Sequence, residues 1–474
     1  GLSNDTIISG SGDDKIDAGD GNDHISAGNG RNQVRAGNGD NTVFTGLGDD
    51  RIDTGDGNDS ISAGGGNDRI KSGRGNDTIT SGLGNHNIDA GDGDDHVTIG
   101  DGRNQIKTGE GNDTVTTGSG ADKIDSGDGD DSINAGDGVN QIKSGDGNDT
   151  VITGTGDDKI DTGEGDNFII AGDGRNYIRS GNGNDTISAG SGDDKIYVGD
   201  GDTSIGAGDG KNQIRTGSGN NTISSGSGDD KIDTKGGNDN VSAGDGRNQI
   251  KTGAGDDTIT SGSDIDKIDS GSGNDSIDGG GGNDWIKGGD GNDWILSGSG
   301  NSKLYGGNGD DDIRAGAGND SVYGGNDDDV IDGGAGIDMI AGDAGNDTIT
   351  GGTGNDLIDG GSGDDWLTGG IGNDALKGGA GADVFVFNAL EEIGDTINDF
   401  SLSQGDLLEI SGFLEEVGSD LETALATDQL GLNGSSSGAW LEFDADGAGA
   451  GTAVQIAFLQ RMNAAEEITS DWFA

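Results

Sequence analysis

One apolar residue returns every nine positions, with a polar residue on either side. From Ile7 the series runs Ile16, Ile25, Val34, Val43, Ile52 and Ile61, and it holds to Leu367, Leu376 and Phe385. That makes 43 positions without an insertion or deletion, and Asp stands two places before the apolar residue in 31 of them. Gly follows most of them at three and five places, as Gly10 and Gly12 follow Ile7. Each unit predicts a turn and then a strand. The Gly-rich hexapeptide can take positive φ and bend sharply. The other three residues form a minimal alternating strand. Such a strand buries nothing alone, but it does when stacked on its neighbours. Two units make one coil. The expected fold is all-β, a parallel β-roll or β-solenoid with two parallel sheets around a thin Ile ladder. About 21 coils at a spacing of ~4.8 Å predict a rod roughly 100 Å long.

The pattern divides the chain into three stretches. Over residues 1–279 the turn opens with Ala, Ser or Thr before a single Gly, as in Ala27-Gly28. A second period of 36 residues runs through this stretch. One of its four units carries a basic residue and Asn, at Arg31-Asn32, Arg103-Asn104, Arg175-Asn176, Lys211-Asn212 and Arg247-Asn248. Over residues 280–383 the Gly are paired, as in Gly288-Gly289 and Gly360-Gly361. After Gly381 the period stops, and residues 384–474 bring Phe, Trp and Leu with a single basic residue, Arg461. Trp440–Asp444 and Ala453–Leu459 read as a hairpin across a Gly-rich turn. This last stretch is expected to be a small β cap on the end of the roll.

Composition narrows the function. Of 474 residues 105 are Gly, none is Pro or Cys, and 27% are hydrophobic. A single globular core of this length would need far more apolar side chain. Without Cys there is no disulfide and no thiolate site. No apolar run is long enough to span a membrane. The net charge of −63 disfavours nucleic acid, whose phosphates need a basic face.

Gly280-Gly-Gly-Asn-Asp-Trp-Ile-Lys-Gly288 and Gly360-Gly-Ser-Gly-Asp-Asp-Trp-Leu-Thr368 fit the nonapeptide G-G-x-G-x-D-x-U-x. The chain thus resembles the RTX (repeats-in-toxin) proteins over residues 1–383. The resemblance implies a parallel β-roll, calcium in the turns and export from Gram-negative cells by type I secretion. Gly381-Ala-Asp-Val-Phe-Val-Phe387, Asp395-Thr-Ile-Asn-Asp-Phe400 and the ending Asp471-Trp-Phe-Ala474 resemble the C-terminal secretion-targeting region of that family. A secreted, extracellular or cell-surface location follows from the resemblance, and no N-terminal signal peptide is seen.

Calcium wants six to eight hard oxygens. A turn offers one Asp carboxylate and the carbonyls exposed by its Gly, and two turns stacked 18 residues apart can close around one ion. Counting Ile7 as unit zero, even units line one edge of the roll and odd units the other. On the even edge the predicted calcium ligands are Asp5, Asp23, Asp59, Asp77, Asp95, Asp113, Asp131, Asp149, Asp239, Asp257, Asp275, Asp293, Asp311, Asp329, Asp347, Asp365 and Asp383. On the odd edge they are Asp50, Asp68, Asp266, Asp284, Asp320, Asp338, Asp356 and Asp374. Requiring Asp on both sides of a gap predicts about 19 strong Ca2+ sites. Without ions such a ladder would repel itself. Zinc and copper are disfavoured because soft and imidazole ligands are missing.

In residues 1–279 the odd edge is expected to hold fewer ions. There Arg31, Arg103, Arg175, Lys211 and Arg247 would reach the carboxylates of adjacent coils, for example Arg175 to Asp158 and Asp194. The residues after the odd core positions alternate in sign, Asp17, Arg35, Asp53, Lys71, Asp89, Lys107, and are expected to form a register-fixing ladder. His24 and His96 should point outward and His86 should sit at a turn, so no catalytic constellation can be assembled. The even outer face carries Thr6, Thr42, Thr78, Thr114, Thr150 and Thr186, interrupted by Phe44 and Phe168. Trp285 and Trp294 would stack on a sugar, on another chain or on their own neighbours.

The expected function is a non-enzymatic, calcium-folded structural protein of the cell surface or matrix, such as a surface layer, sheath, filament or adhesin stalk. The alternative is an export and folding module for an enzyme or toxin domain lying upstream, and the third is an ice- or polysaccharide-binding solenoid. Calcium is the expected partner. Head-to-tail self-association is expected because Gly1 opens mid-repeat and would leave an unpaired edge.

Overall fold

The computed structural model describes residues 1–427, 429–435, 437–445, 453–462 and 468–474. It consists of two compact units, Gly1–Gly236 and Gly237–Ala474. The change of repeat type at Gly279 falls inside the second.

In the first unit the even strands, from Thr6–Ile8 and His24–Gly28 to Thr222–Ser224, pair in parallel as one sheet. The odd strands, from Lys15–Asp17 to Lys231–Asp233, pair as another. The register is 18 residues, as in Val97↔Val115 and Ile106↔Ile124, with a shift after Ser26 where Gly28 meets Thr45. Most strands are three residues long and show an exposed–buried–exposed pattern, as Gln105–Lys107 does. The central Ile or Val is buried, and Ile61, Ile70 and Ile79 are at most 1% exposed. The odd outer face carries the alternating charges in register. Asp17 stands opposite Arg35, Asp53 opposite Lys71 and Asp125 opposite Lys143.

Glycine is indispensable where coils stack. Gly172 and Gly174 take φ of 70° and 139°. A Cβ on either would also run into the carbonyl of Gly154 or Gly156 one coil below.

The second unit repeats the arrangement with longer strands. In several coils the ladder extends into the turn, so Leu357–Ser362 pairs with Ala375–Ala380 over both their hydrophobic and their Gly positions. The register then outlasts the nonapeptide. Ile397 of Asp395–Ile397 stacks on Leu376, and Leu408 of Leu407–Glu409 stacks on Phe385. Two short helices, Ser411–Glu416 and Leu421–Ala426, follow. An antiparallel sheet of Leu430–Ser435, Gly438–Phe443 and Val454–Gln460 completes the cap. The hairpin expected from the sequence is present, with its Gly-rich tip outside the described residues. The final residues tuck in: Trp472 is buried beside Phe400, at 5.7 Å between rings, and Phe473 bridges to Leu408. Among the described residues no helix is long and apolar enough to cross a membrane.

Candidate metal sites in the turns

The Asp two places before each core residue folds inward. Asp59, Asp77, Asp95 and Asp113 are 1–2% exposed, which is unusual for carboxylates. The cause is a backbone bond across the coils. Oδ1 accepts the N–H of the equivalent residue one coil earlier, as in Asp95 N to Asp113 Oδ1 and Asp311 N to Asp329 Oδ1, at 2.8 and 2.9 Å. This fixes the carboxylate and turns Oδ2 into the turn, where in most coils it finds no hydrogen bond at all.

What surrounds Oδ2 is oxygen. A Cβ on Gly306 would land against both Asp311 Oδ2 and the Gly324 carbonyl oxygen, so these two atoms face one space. Gly288 reports the same for Asp293 and Gly306, and Gly360 for Asp365 and Gly378. A buried carboxylate oxygen facing carbonyls is costly unless a cation or proton sits between them. Burial accordingly pushes the carboxyl of Asp311 up to about 7. Burial, with neighbouring carboxylates adding to it, pushes Asp95 and Asp329 up to about 8. Among the described residues no three His, Cys, Asp or Glu side chains converge. Each turn therefore offers one carboxylate plus main-chain oxygens, the donor set of a hard cation such as Ca2+ and a poor one for zinc or copper. When bound, the ion would supply the positive charge that these oxygens lack.

Most of the sequence-predicted ligands share this geometry: Asp23, Asp59, Asp77, Asp95, Asp113 and Asp131, then Asp257, Asp275, Asp293, Asp311, Asp329, Asp347 and Asp365 on the even edge, where Asp239 is buried at the same position. On the odd edge Asp50, Asp266, Asp284, Asp320, Asp338, Asp356 and Asp374 do so. Four stand apart. Asp5 is only half-buried. Asp149 Oδ2 receives the Ser144 hydroxyl at 2.5 Å. Asp68 Oδ2 receives the Ser81 hydroxyl at 2.8 Å and lies 3.2 Å from His86 Nδ1, both side chains being fully buried. Asp383 is buried below Asp406, whose Oδ1 accepts its N–H at 3.4 Å.

Five carboxylates outside the predicted set share this geometry. Asp122, Asp158, Asp185 and Asp194 each keep an Oδ2 without a hydrogen bond although the neighbouring coils carry no Asp at this position. The fifth, Asp395, lies 21 residues beyond Asp374 and accepts its N–H at 2.8 Å. A single Asp-x-apolar match suffices to find it, as Asp395-Thr-Ile397.

Arg31, Arg175 and Lys211 of the odd edge pair with outer carboxylates and not with the buried ones. Arg175 Nη2 lies 2.6 Å from Asp157, not Asp158 or Asp194, and Lys211 Nζ lies 2.8 Å from Asp229. Arg31 approaches Asp49 at 3.9 Å. These partners are exposed. The inner carboxylates are sealed behind main chain, and a side chain rooted one residue earlier points to the rim.

A family model for the RTX calcium-binding nonapeptide repeat matches the chain in overlapping copies that run without a gap from residue 1 to residue 389. The chain belongs to the RTX calcium-binding repeat family. A comparison with curated proteins gave no match. Among solved structures 14 chains match. One is the X-ray crystal structure of a hyperactive, Ca2+-dependent, β-helical antifreeze protein from an Antarctic bacterium. It is 16% identical over 84% of this chain and 86% of that one, at a TM-score of 0.16. A superposition of that quality carries no argument about this chain's role.

On the odd outer face Trp285 packs on Tyr305, and Tyr305 stacks on Tyr323, with ring centroids 5.8 and 5.1 Å apart. The Lys267 ammonium sits 4.8 Å above the Trp285 ring. Of the contacts expected for this Trp, the structure contains those with its own neighbours.

Proposed function

We propose that this RTX protein is a secreted structural component of the cell surface or extracellular matrix, folded by calcium outside the cell and without catalytic activity. The observation that carries the reading is the row of buried Oδ2 atoms facing carbonyls. A fold with so many uncompensated oxygens closes only where a divalent cation is abundant, and binding to the folded form alone stabilises it by mass action. The repeats support a structural role because they fill most of the chain. The grooves between outer side chains, such as that lined by Lys15, Arg35, Arg51 and Asp53, are shallow and solvent-washed, with no nucleophile held against a base. The buried Trp472 and Phe473 fit a targeting segment that is read before folding and hidden afterwards. Self-association end to end, and a polysaccharide contact on the Trp285–Tyr305–Tyr323 row, belong to the same proposal. In millimolar calcium the purified chain should show β-structure by circular dichroism and ordered assemblies by electron microscopy. The same β spectrum in chelator, or an isolated monomer at high concentration with calcium, would sink the corresponding part.

A further inference from the structure

Some turns carry Asn where the others carry Asp, and the structure gives them a different chemistry on the same backbone. Asn176 Oδ1 accepts the Asp158 N–H at 3.1 Å, as an Asp would. Its Nδ2 donates to three carbonyls, Gly172 at 3.1 Å, Gly174 at 3.4 Å and Ala189 at 3.0 Å. Asn212 repeats this with Gly208, Gly210 and Ser225 at 2.9, 3.4 and 3.2 Å. Asn41 does so with Gly37, Gly39 and Thr54 at 3.0, 2.7 and 3.1 Å. In these three turns the acceptors come from four and two residues before the Asn and thirteen after it. They converge on one atom.

The Asp turns have the same backbone. Gly55 and Gly57, ahead of Asp59, take φ of 82° and 140°, against 70° and 139° for Gly172 and Gly174 ahead of Asn176. The terminal atom is now Oδ2, which brings no proton and has no donor. In the paired-Gly turns the carbonyl thirteen residues on faces that oxygen directly, as Gly324 faces Asp311. One arrangement of carbonyls is thus answered by N–H in one turn and opposed by a bare oxygen in the other.

We infer that the Asn turns are metal-free closures, in which the side-chain amide stands where a cation serves the Asp turns. The inference rests on the calcium reading of the Asp turns. An amide has two protons with which to satisfy these acceptors. It needs no ion and, carrying no charge, adds nothing to the repulsion along the edge. On the odd edge of the first unit Asn104, Asn140, Asn176 and Asn212 recur every second coil; Asn176 and Asn212 hold all three carbonyls, and Asn104 and Asn140 hold the one four residues back, Gly100 at 3.3 Å and Gly136 at 3.1 Å, so every second turn there carries an amide that needs no calcium. This is the role the sequence had suggested for Arg103, Arg175 and Lys211. It falls to the residue next to each.

The test counts ions on the full chain by native mass spectrometry after loading with calcium. A variant with Asn32, Asn104, Asn140, Asn176 and Asn212 all changed to Asp should bind five more calcium ions than the wild type. Asn176→Asp alone should bind one more, and Asp131→Asn one fewer with an unchanged circular dichroism spectrum in calcium. Equal, non-zero counts in wild type and folded variants would overturn the inference while leaving the calcium reading intact. Should the fivefold variant not fold, the two single variants decide. A wild type that binds no calcium would overturn both.

Discussion

The turns from Gly288 to Asp383 and those of the first unit bury the same carboxylate and treat it differently. In the later turns the residue five places before the Asp is Gly, except Ala315 before Asp320, and at Gly288, Gly306 and Gly360 the Oδ2 and the next carbonyl share the space that a Cβ would take. In the first unit that residue is Ala, Ser or Thr, and where it is Ser or Thr its hydroxyl takes part of that space. Ser72 donates to the Ala90 carbonyl at 2.8 Å and Thr108 to the Ser126 carbonyl at 3.1 Å. With the Asn closures, the first unit satisfies many of its inner oxygens from its own chain. The later turns leave theirs to an ion. One repeat can therefore be tuned from ion-dependent to self-sufficient by two positions per turn.

Calcium removal should separate the two regions most strongly. In chelator, hydrogen exchange should rise first and furthest in the strands between Trp294–Leu296 and Ala375–Ala380, and less in those between Gln105–Lys107 and Gln213–Arg215. Equal loss of protection would break the comparison.

Lowering the pH should partly replace the ion. The inner carboxyls are raised in the folded state, Asp311 to about 7 and Asp329 to about 8, from an ordinary value of 3.8. The folded form then holds more protons than the unfolded one between these limits. Their contribution to stability is complete below the unfolded value and is lost as the pH rises through the folded one. In chelator, β-structure should grow as the pH falls from 8 towards 5, and calcium affinity should weaken over the same range. A circular dichroism titration with no such gain would refute this.

A smaller effect is expected from exchanging the two turn types. Gly306 lies outside the positive-φ region, so Gly306→Ala is purely steric. Its methyl would crowd Asp311 Oδ2 and should cost about 1–3 kcal/mol and one bound calcium. Ser126→Gly should cost only about 0.5–1.5 kcal/mol for its hydrogen bond. Denaturant melts in saturating calcium compare the two. The smallest effect belongs to the outer ladder. Lys143, 3.9 Å from Asp125 and largely exposed, should lose about 0–1 kcal/mol on change to Ala.

Strand, turn, coil length and register were legible in the sequence because one Ile per nine residues leaves a single way to stack. The carboxylate positions followed from the same count. What the sequence does not show is the direction of each buried oxygen. Asp122 and Asp194, whose neighbouring coils carry Asn, bury an Oδ2 without a hydrogen bond just as the stacked Asp do. Asp395 and Asp406 were hidden by spacing: loops of altered length deliver them to the positions that 18-residue steps reach elsewhere. The Arg175 expectation failed on depth, since a long side chain at the rim cannot enter a turn closed by backbone. The partner of Asp68 was equally invisible. His86 reads as a lone substitution until Ser81 and Asp68 are seen around it.

The side chains that bind coil to coil point both ways. At the inner position Asp131 serves the coil before it, accepting from Asp113 N, whereas next door Asn112 serves the coil after it, accepting from Asp130 N. A damaged residue therefore shows its injury elsewhere: loss of Asp131 bares an amide 18 residues upstream, and loss of Asn112 bares one 18 residues downstream. The stitching has no grain. Peeling such a stack from its head breaks the same two kinds of bond as peeling it from its tail, so neither direction is the easy way to unravel it.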